Sequence, residues 1–361
     1  MMRWGERFRV TIFGSSHGPE VGAIVEGVPA GTRIDLSAIQ AELDRRRPVG
    51  RRLATKRQEE DHLVLDSGVR DGLADGGPIR AHVANEDVRS APYEKARATP
   101  RPGHADYPAR VRYGPGADLR GGGIFSGRMT VGLVVAGSIG RELWRPKGVD
   151  LLAFTRSIGH VDAIVPEGTD LATLRQTAAR NEVGCPDAEA AGRMETEIEA
   201  ARRAGDSVGG IIECRVAGLP VGVGEPFFDS MEGAIAHLAF AIPAVKAIEF
   251  GAGFGGARMH GSEHNDPFYY DGPVVRTRSN HAGGILGGLT TGSTLVFRIA
   301  VKPTSSIALE QDTVDLERHE NARLRVTGRH DPCIVPRAVP VAEAVAAIAL
   351  ADLGLRGGFL L

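Results

Sequence analysis

The chain has 361 residues, 42% hydrophobic and 24% charged, with a formal net charge of −2. Those are the proportions of a globular protein long enough for one large or two ordinary domains. The balanced charge excludes bulk attraction to nucleic acid, so an anion site has to be a local concentration of arginine.

Cys185, Cys214 and Cys333 have no CxxC or metal-ligand spacing, which points to reduced thiols in a cytoplasmic protein. The opening "MMRWGERFRV" has no apolar signal core and no apolar run of about 18 residues is apparent, so neither secretion nor a membrane span is expected. Glycine, at 48 residues, is roughly twice as frequent as usual, which implies many turns or backbone packed closely on a ligand.

In chain order, the β-branched stretch "FRVTIFG" (8–14) reads as a strand, and "VGAIVEGVP" (21–29) as a second. Asp35 or Ser37 can cap a helix through Arg47, with Leu36, Ile39 and Leu43 on one face and Pro48 ending it. "HLVLDSGV" and "PIRAHVAN" give two more strands, and "TVGLVVAGSIGRELW" (130–144) is apolar enough for a buried helix. An amphipathic helix over 187–205 precedes the strand "GGIIECRVAGLP". A helix within 227–251 runs up to Pro243, a strand ends at Pro303, and residues 340–354 form a last helix. No repeat or low-complexity linker divides the chain, and the mixed order of strands and helices favours an α+β fold over a doubly wound sheet.

Several segments can carry chemistry. "FGSSHG" (13–18) contains G-x-S-x-G, the elbow of a serine hydrolase with Ser16 as nucleophile, but a second strand follows where that elbow needs a helix. "RPGHADYP" (101–108) fixes a turn that exposes His104, with Arg101 placed to hold an anion and Asp106 to orient the imidazole. Zinc is the competing use of these histidines, and no partner has ligand spacing. The run "RRRPVGRRLATKR" (45–57) reads as a solvated face or as forked donors for a dianionic metabolite. "LRGGGIFSGR" (119–128) looks like an anion loop but lacks the GK[ST] ending of a P-loop. "SNHAGGILGGLTTG", "VKPTSSI" and "GRHDPC" add paired glycines, one lysine, three hydroxyls and a triplet of ionisable groups. Together these polar, glycine-rich segments imply one large shared pocket.

Taken in order, FGSSHG, DRRRP, RPGHAD, RGGG, GDSVGG, SNHAGGILGG, KPTSSI, GRHDPC and RAVPVAEA resemble the chorismate synthase family along nearly the whole chain. The resemblance implies a single catalytic domain over 1–361 with an α+β sandwich of helices and antiparallel sheets, assembled as a homotetramer. It implies anti-1,4-elimination of phosphate from 5-enolpyruvylshikimate 3-phosphate, with reduced FMN required and no net redox change. By the same resemblance His17 assists the leaving phosphate, His104 protonates the reduced flavin, and Asp331 helps manage the flavin N5 proton. Arg46, Arg52, Arg101, Arg329 and Ser16 are implied at the substrate. Ser126, Pro243, Ala244, Gly287, Lys302, Pro303, Thr304, Ser305, Ser306 and Arg329 are implied at FMN. No dinucleotide fingerprint of the G-x-G-x-x-G strand-to-helix kind is apparent, so the reducing power, with NADPH as candidate reductant, is expected from an external source.

The chain departs from the family pattern after the glycines. Where the family commonly reads RSSARET, residues 124–130 are IFSGRMT. Ile124 and Phe125 replace an arginine and a serine, and Met129 a glutamate, which predicts a more apolar flavin wall. Ser15 stands where the family usually has glutamate.

Overall fold

The computed structural model describes residues 2–47, 60–86, 98–114, 116, 118–326 and 330–360. The first sheet contains β1 (Arg3–Trp4), β2 (Arg9–Gly14), β3 (Glu20–Glu26), β4 (Val64–Ser67) and β7 (Ile79–Ala84), in the order β1-β2-β3-β7-β4. Between β4 and β7 the chain makes the small pair β5 (Val69–Arg70) and β6 (Leu73–Ala74). The second sheet contains β8 (Asp150–Ile158), β9 (Val161–Asp162), β10 (Gly210–Ala217), β11 (Val245–Phe250) and β16 (Leu295–Val301), in the order β11-β16-β10-β8-β9. Neighbouring strands in both sheets are antiparallel. Three hairpins project from this frame: β12 (Phe268–Asp271) with β13 (Val274–Thr277), β14 (Ile285–Leu286) with β15 (Leu289–Thr290), and β17 (Glu310–Asp315) with β18 (Glu320–Arg325).

Helix α1 (Leu36–Arg46) is capped by Asp35, whose carboxylate accepts from the N–H groups of Ser37 and Ala38. After α2 (Asp106–Tyr113) comes α3 (Thr130–Trp144), then α4 (Leu171–Ala178), α5 (Ala188–Ala204), α6 (Met231–Ala239), the short α7 (Gly261–His264) and α8 (Val335–Arg356). Helix α3 packs on β3 of the first sheet and α8 on β8 and β10 of the second, while α3 and α8 pack on each other. The helix pair is therefore the filling between two sheets. This layering buries α8 over nearly its whole length. That helix is long and apolar enough to cross a membrane, with a mean hydropathy of 1.8 over an 18-residue window that is entirely buried. The window is not an unbroken apolar run, because α8 carries Glu343 and Asp352.

Both carboxylates have partners. Glu343 accepts from Arg45 at 2.8 and 3.0 Å and from the N–H of Ala153 at 2.9 Å. Asp352 accepts from three successive N–H groups, those of Glu6, Arg7 and Phe8.

Several glycines serve helix packing rather than turns. A Cβ on Gly137 would lie 2.3 Å from the Cα of Ala344, and one on Gly140 would lie 2.9 Å from the carbonyl oxygen of Ala347. Because both obstacles are backbone, the helices must separate to admit a side chain. Gly137→Val is expected to destabilise the protein by at least about 3 kcal/mol, the upper range for overpacked cores. Denaturant unfolding of the variant measures this, and a loss below 1 kcal/mol would contradict the close approach.

Element ends differ from expectation in two places. The helix expected to reach Pro243 stops at Ala239, where i→i+3 bonds from Ala241 and Ile242 tighten the chain into a turn. The last helix begins five residues earlier than expected and runs through Pro340, whose ring is tolerated within this long packed helix despite the missing N–H.

Candidate active site

Strand β2 delivers the chain into a tight turn that carries Ser16 and His17 before β3 returns. No helix follows, so the hydrolase elbow is absent. Ser16 Oγ instead donates to the carbonyl of Arg120 at 3.0 Å and lies 3.5 Å from His17 Nδ1. The Ser16 N–H also bonds the carbonyl of Gly123. The turn is thus stitched to the glycine run.

That run forms a strap between the two candidate histidines. Gly121, Gly122 and Gly123 all have left-handed backbone, with φ of 59°, 91° and 53°. A Cβ on Gly121 would lie 2.0 Å from His17 Cε1, and one on Gly122 would lie 3.4 Å from His104 Nε2. Arg120 pairs with Asp118 at 2.7 Å.

His104 is held from behind. Its Nδ1 lies 2.6 Å from Asp106 Oδ1, while Arg101 donates to the same carboxylate through Nε at 2.7 Å and Nη2 at 2.8 Å. Arg101 also donates to Ser306 Oγ at 3.1 Å. Its first task is therefore to build the His104 turn. Burial raises the Asp106 pKa, but hydrogen bonds from Arg101 and His104 outweigh it and hold the carboxyl well below the usual range. A depressed folded-state pKa means this stabilisation is full above the unfolded value of about 3.9 and is lost as pH falls through the folded value. Asp106→Asn is therefore expected to cost more stability at pH 6 than at pH 3. Urea titrations at the two pH values measure the difference, and an equal cost at both would refute the assignment.

Behind the cleft lies a buried carboxylate that sequence reasoning did not single out. Asp61 pairs with Arg46 at 3.0 Å and, in a shorter contact, with Arg128. Arg46 donates further to Thr130 Oγ1 and to the carbonyl of Gly127, and Arg128 donates to Asn85 Oδ1. The three consecutive arginines of the cationic run diverge: Arg45 reaches Glu343, Arg46 reaches Asp61 and Arg47 reaches Asp44. Asp331 pairs with Arg337, which also bonds the carbonyl of Arg46.

These groups surround a cleft of about 520 Å³, within the range of small-molecule and cofactor sites. Arg46, Arg101, Arg128, Lys302 and Arg337 line it with His104, His330 and one carboxylate, Asp331. Burial, and then the charge of Lys246, push the Lys302 pKa below the ordinary lysine value. Ser126, Pro243, Ala244, Thr304, Ser305 and Ser306 also line the cleft. Residues 205–210 brace this rim from outside: Ser207 Oγ donates to the carbonyl of Thr304, and the Val208 N–H to that of Pro332.

Residues 8–355 match the family model described as chorismate synthase. The chain belongs to the chorismate synthase family. It is 46% identical to the chorismate synthase of Dehalococcoides mccartyi strain BAV1 over 356 residues, covering 99% of this chain and 97% of that protein. It is 48% identical to that of Korarchaeum cryptofilum, covering 97% and 96% of the two chains. A solved structure titled "Crystal Structure of Chorismate Synthase" superposes with a TM-score of 0.76 at 27% identity, covering 98% of this chain and 93% of the other. Membership makes the chain an α+β lyase of aromatic amino acid biosynthesis.

The residues implied by the chorismate synthase resemblance are not all brought together. Ser16 and His17 stand behind Gly121 rather than among the lining residues, and Pro303 packs toward Gly209. Gly287 lies in the β14–β15 turn and is not among the residues that line the cleft. The start of its segment is tied to Asp266 instead, which accepts from Ser279 Oγ and from the N–H groups of His281 and Ala282. The expectation that all the glycine-rich segments share one pocket is corrected there. Arg52 and Arg329 lie outside the described residues. Of the three departures from the family pattern, Ile124 and Phe125 line the cleft, and Phe125 packs on Tyr113 with ring centroids 6.2 Å apart. Met129 points into the core.

Proposed function

We propose that this chain converts 5-enolpyruvylshikimate 3-phosphate to chorismate and phosphate by anti-1,4-elimination, with reduced FMN as cofactor. The observation that carries the reading is the glycine strap, which sets His17 and His104 on neighbouring residues beside a cleft lined by five cationic side chains. The cleft fits the cofactor by its donor set. Ile124, Phe125, Phe240, Ile242 and Pro243 offer an apolar wall for a flat ring system, and Lys302 with the hydroxyls of Thr304, Ser305 and Ser306 offers partners for a phosphate. Bound there, reduced FMN supplies the electron density that C–O cleavage draws on and takes up the departing hydrogen.

The protein's own part is electrostatic and prototropic. A phosphate leaving group needs its growing negative charge matched and a proton supplied. Arg46, Arg101 and Arg128 provide fixed positive charge, and His17 is the proton donor to the leaving phosphate. His104, with Nδ1 committed to Asp106, holds a proton at the other side of the strap. Asp331 is kept in place by Arg337 and takes part in the same proton handling.

The reading extends to one catalytic domain over 1–361, a cytoplasmic location and a homotetramer. Exposed aromatic side chains support the assembly: Phe227, Phe228, Phe254 and Tyr270 are each at least 77% exposed. The reducing power comes from outside the chain, with NADPH as the ultimate reductant. An anaerobic assay with dithionite-reduced FMN and 5-enolpyruvylshikimate 3-phosphate, following chorismate absorbance, tests the activity. Ligand binding without product at saturating flavin overturns it.

A further inference from the structure

We propose that Asp61 is a positioning residue for substrate binding: it sets the spacing of Arg46 and Arg128 and, through Arg128 and Asn85, the place of the His17 turn. The inference rests on the reading of the cleft as the site of a phosphorylated carboxylate.

Asp61 is 4% exposed and stands just before β4, in the left-handed region at φ 42°. Its two oxygens serve two different guanidiniums. Oδ2 accepts from Arg46 Nη1 at 3.0 Å, and Oδ1 accepts from Arg128 Nη1. These arginines come from the end of α1 and from the segment after the glycine strap, 15 and 67 residues away. Both are buried, at 4% and 5% exposure, and both line the cleft.

Two guanidiniums this close repel each other, and burial strengthens the repulsion. One shared carboxylate fixes them as a pair on the lining of the cleft. The remaining nitrogens are committed as well. Arg46 Nε bonds Thr130 at 2.9 Å, Arg128 Nε bonds Asn85 Oδ1 at 2.8 Å, and Arg128 Nη2 bonds the carbonyl of Ala84 at 3.0 Å. Asn85 in turn donates to the carbonyls of Ser15 and Gly18 at 3.0 and 2.8 Å. The chain of bonds thus runs from Asp61 to the turn that carries His17. Apolar replacement of a buried ion pair is often neutral or stabilising, so stability alone does not account for this one.

The test uses the full chain with FMN bound. Asp61→Glu keeps the charge, and therefore the compensation of both arginines, but moves the carboxylate by one methylene. Its dissociation constant for 5-enolpyruvylshikimate 3-phosphate, measured calorimetrically with oxidised FMN, is expected to rise at least about tenfold, and KM to rise more than kcat falls. Asp61→Asn combined with Arg128→Met is expected to weaken binding by clearly less than the two single losses multiplied together, since the two residues act as a unit. Unaltered substrate affinity in Asp61→Glu, or additive losses in the pair, would overturn the proposal. If Asp61→Asn does not fold, Asp61→Glu decides alone. Wild-type protein that fails to turn over this substrate would instead remove the functional reading itself.

Discussion

His104→Ala is expected to lower turnover by ~10²–10⁴-fold, the usual worth of a positioned proton-transfer group, while the thermal midpoint moves by only a few degrees. The asymmetry follows from what surrounds the ring. His104 is only partly buried, and the turn that bears it is held by Arg101 and Asp106, whose bonds at 2.7 and 2.8 Å do not involve the imidazole. Removing the ring leaves that pair intact, so the backbone has no reason to move. The proton transfer proposed for His104 goes with the ring. Steady-state rates with reduced FMN, set beside a melting curve, measure both halves of the claim. A variant within tenfold of wild-type turnover, or one that is unfolded, contradicts it. His17→Ala is expected to behave in the same way.

The second large effect comes from a single methyl group. In Gly121→Ala the new Cβ would lie 2.0 Å from His17 Cε1, 2.2 Å from Nδ1 and 2.9 Å from Ser16 Oγ. No atom pair tolerates these distances, so the imidazole must leave its place. The backbone adds a cost of about 1–2 kcal/mol, because φ is 59° there. The variant should therefore copy His17→Ala in turnover, and the double variant Gly121→Ala/His17→Ala should be little slower than either single one. The same double-variant comparison provides the check. If the two losses multiply, the glycine acts on something other than His17.

These positions also show what the sequence could and could not tell. The orienting role of Asp106 was readable because it lies two residues from His104, and a turn set by Pro102 and Gly103 leaves little choice of geometry. Asp61 carries as much of the site but was invisible, since its partners come from segments joined only by the fold. Helix α3 was predicted residue for residue because every turn of it is apolar. The β17–β18 hairpin was missed because its strands "EQDTVD" and "ENARLR" carry few apolar residues, which removes the alternation that marks a strand. The glycine run was read as backbone close to a ligand. What Gly121 and Gly122 approach within the protein is a pair of histidines, and a one-dimensional pattern cannot distinguish those uses. The packing role of the glycines of α3 is hidden for a related reason: small residues at a helix crossing leave no periodic mark of their own.

The position of α8 bears on how the protein is made. This helix follows every strand of both sheets in chain order, yet it lies between the two sheets and its Asp352 receives the N–H groups of residues 6–8, a span of 344–346 residues. Closing contacts this distant is slow. A nascent chain that has reached residue 330 has synthesised the strands of both sheets but lacks the helix that separates and covers them. It must therefore wait with apolar faces open, and synthesis from the N-terminus cannot complete the first sheet's surroundings as it goes. Products truncated before Val335 are therefore expected to aggregate, which sedimentation of a chain ending at residue 334 beside the full chain measures.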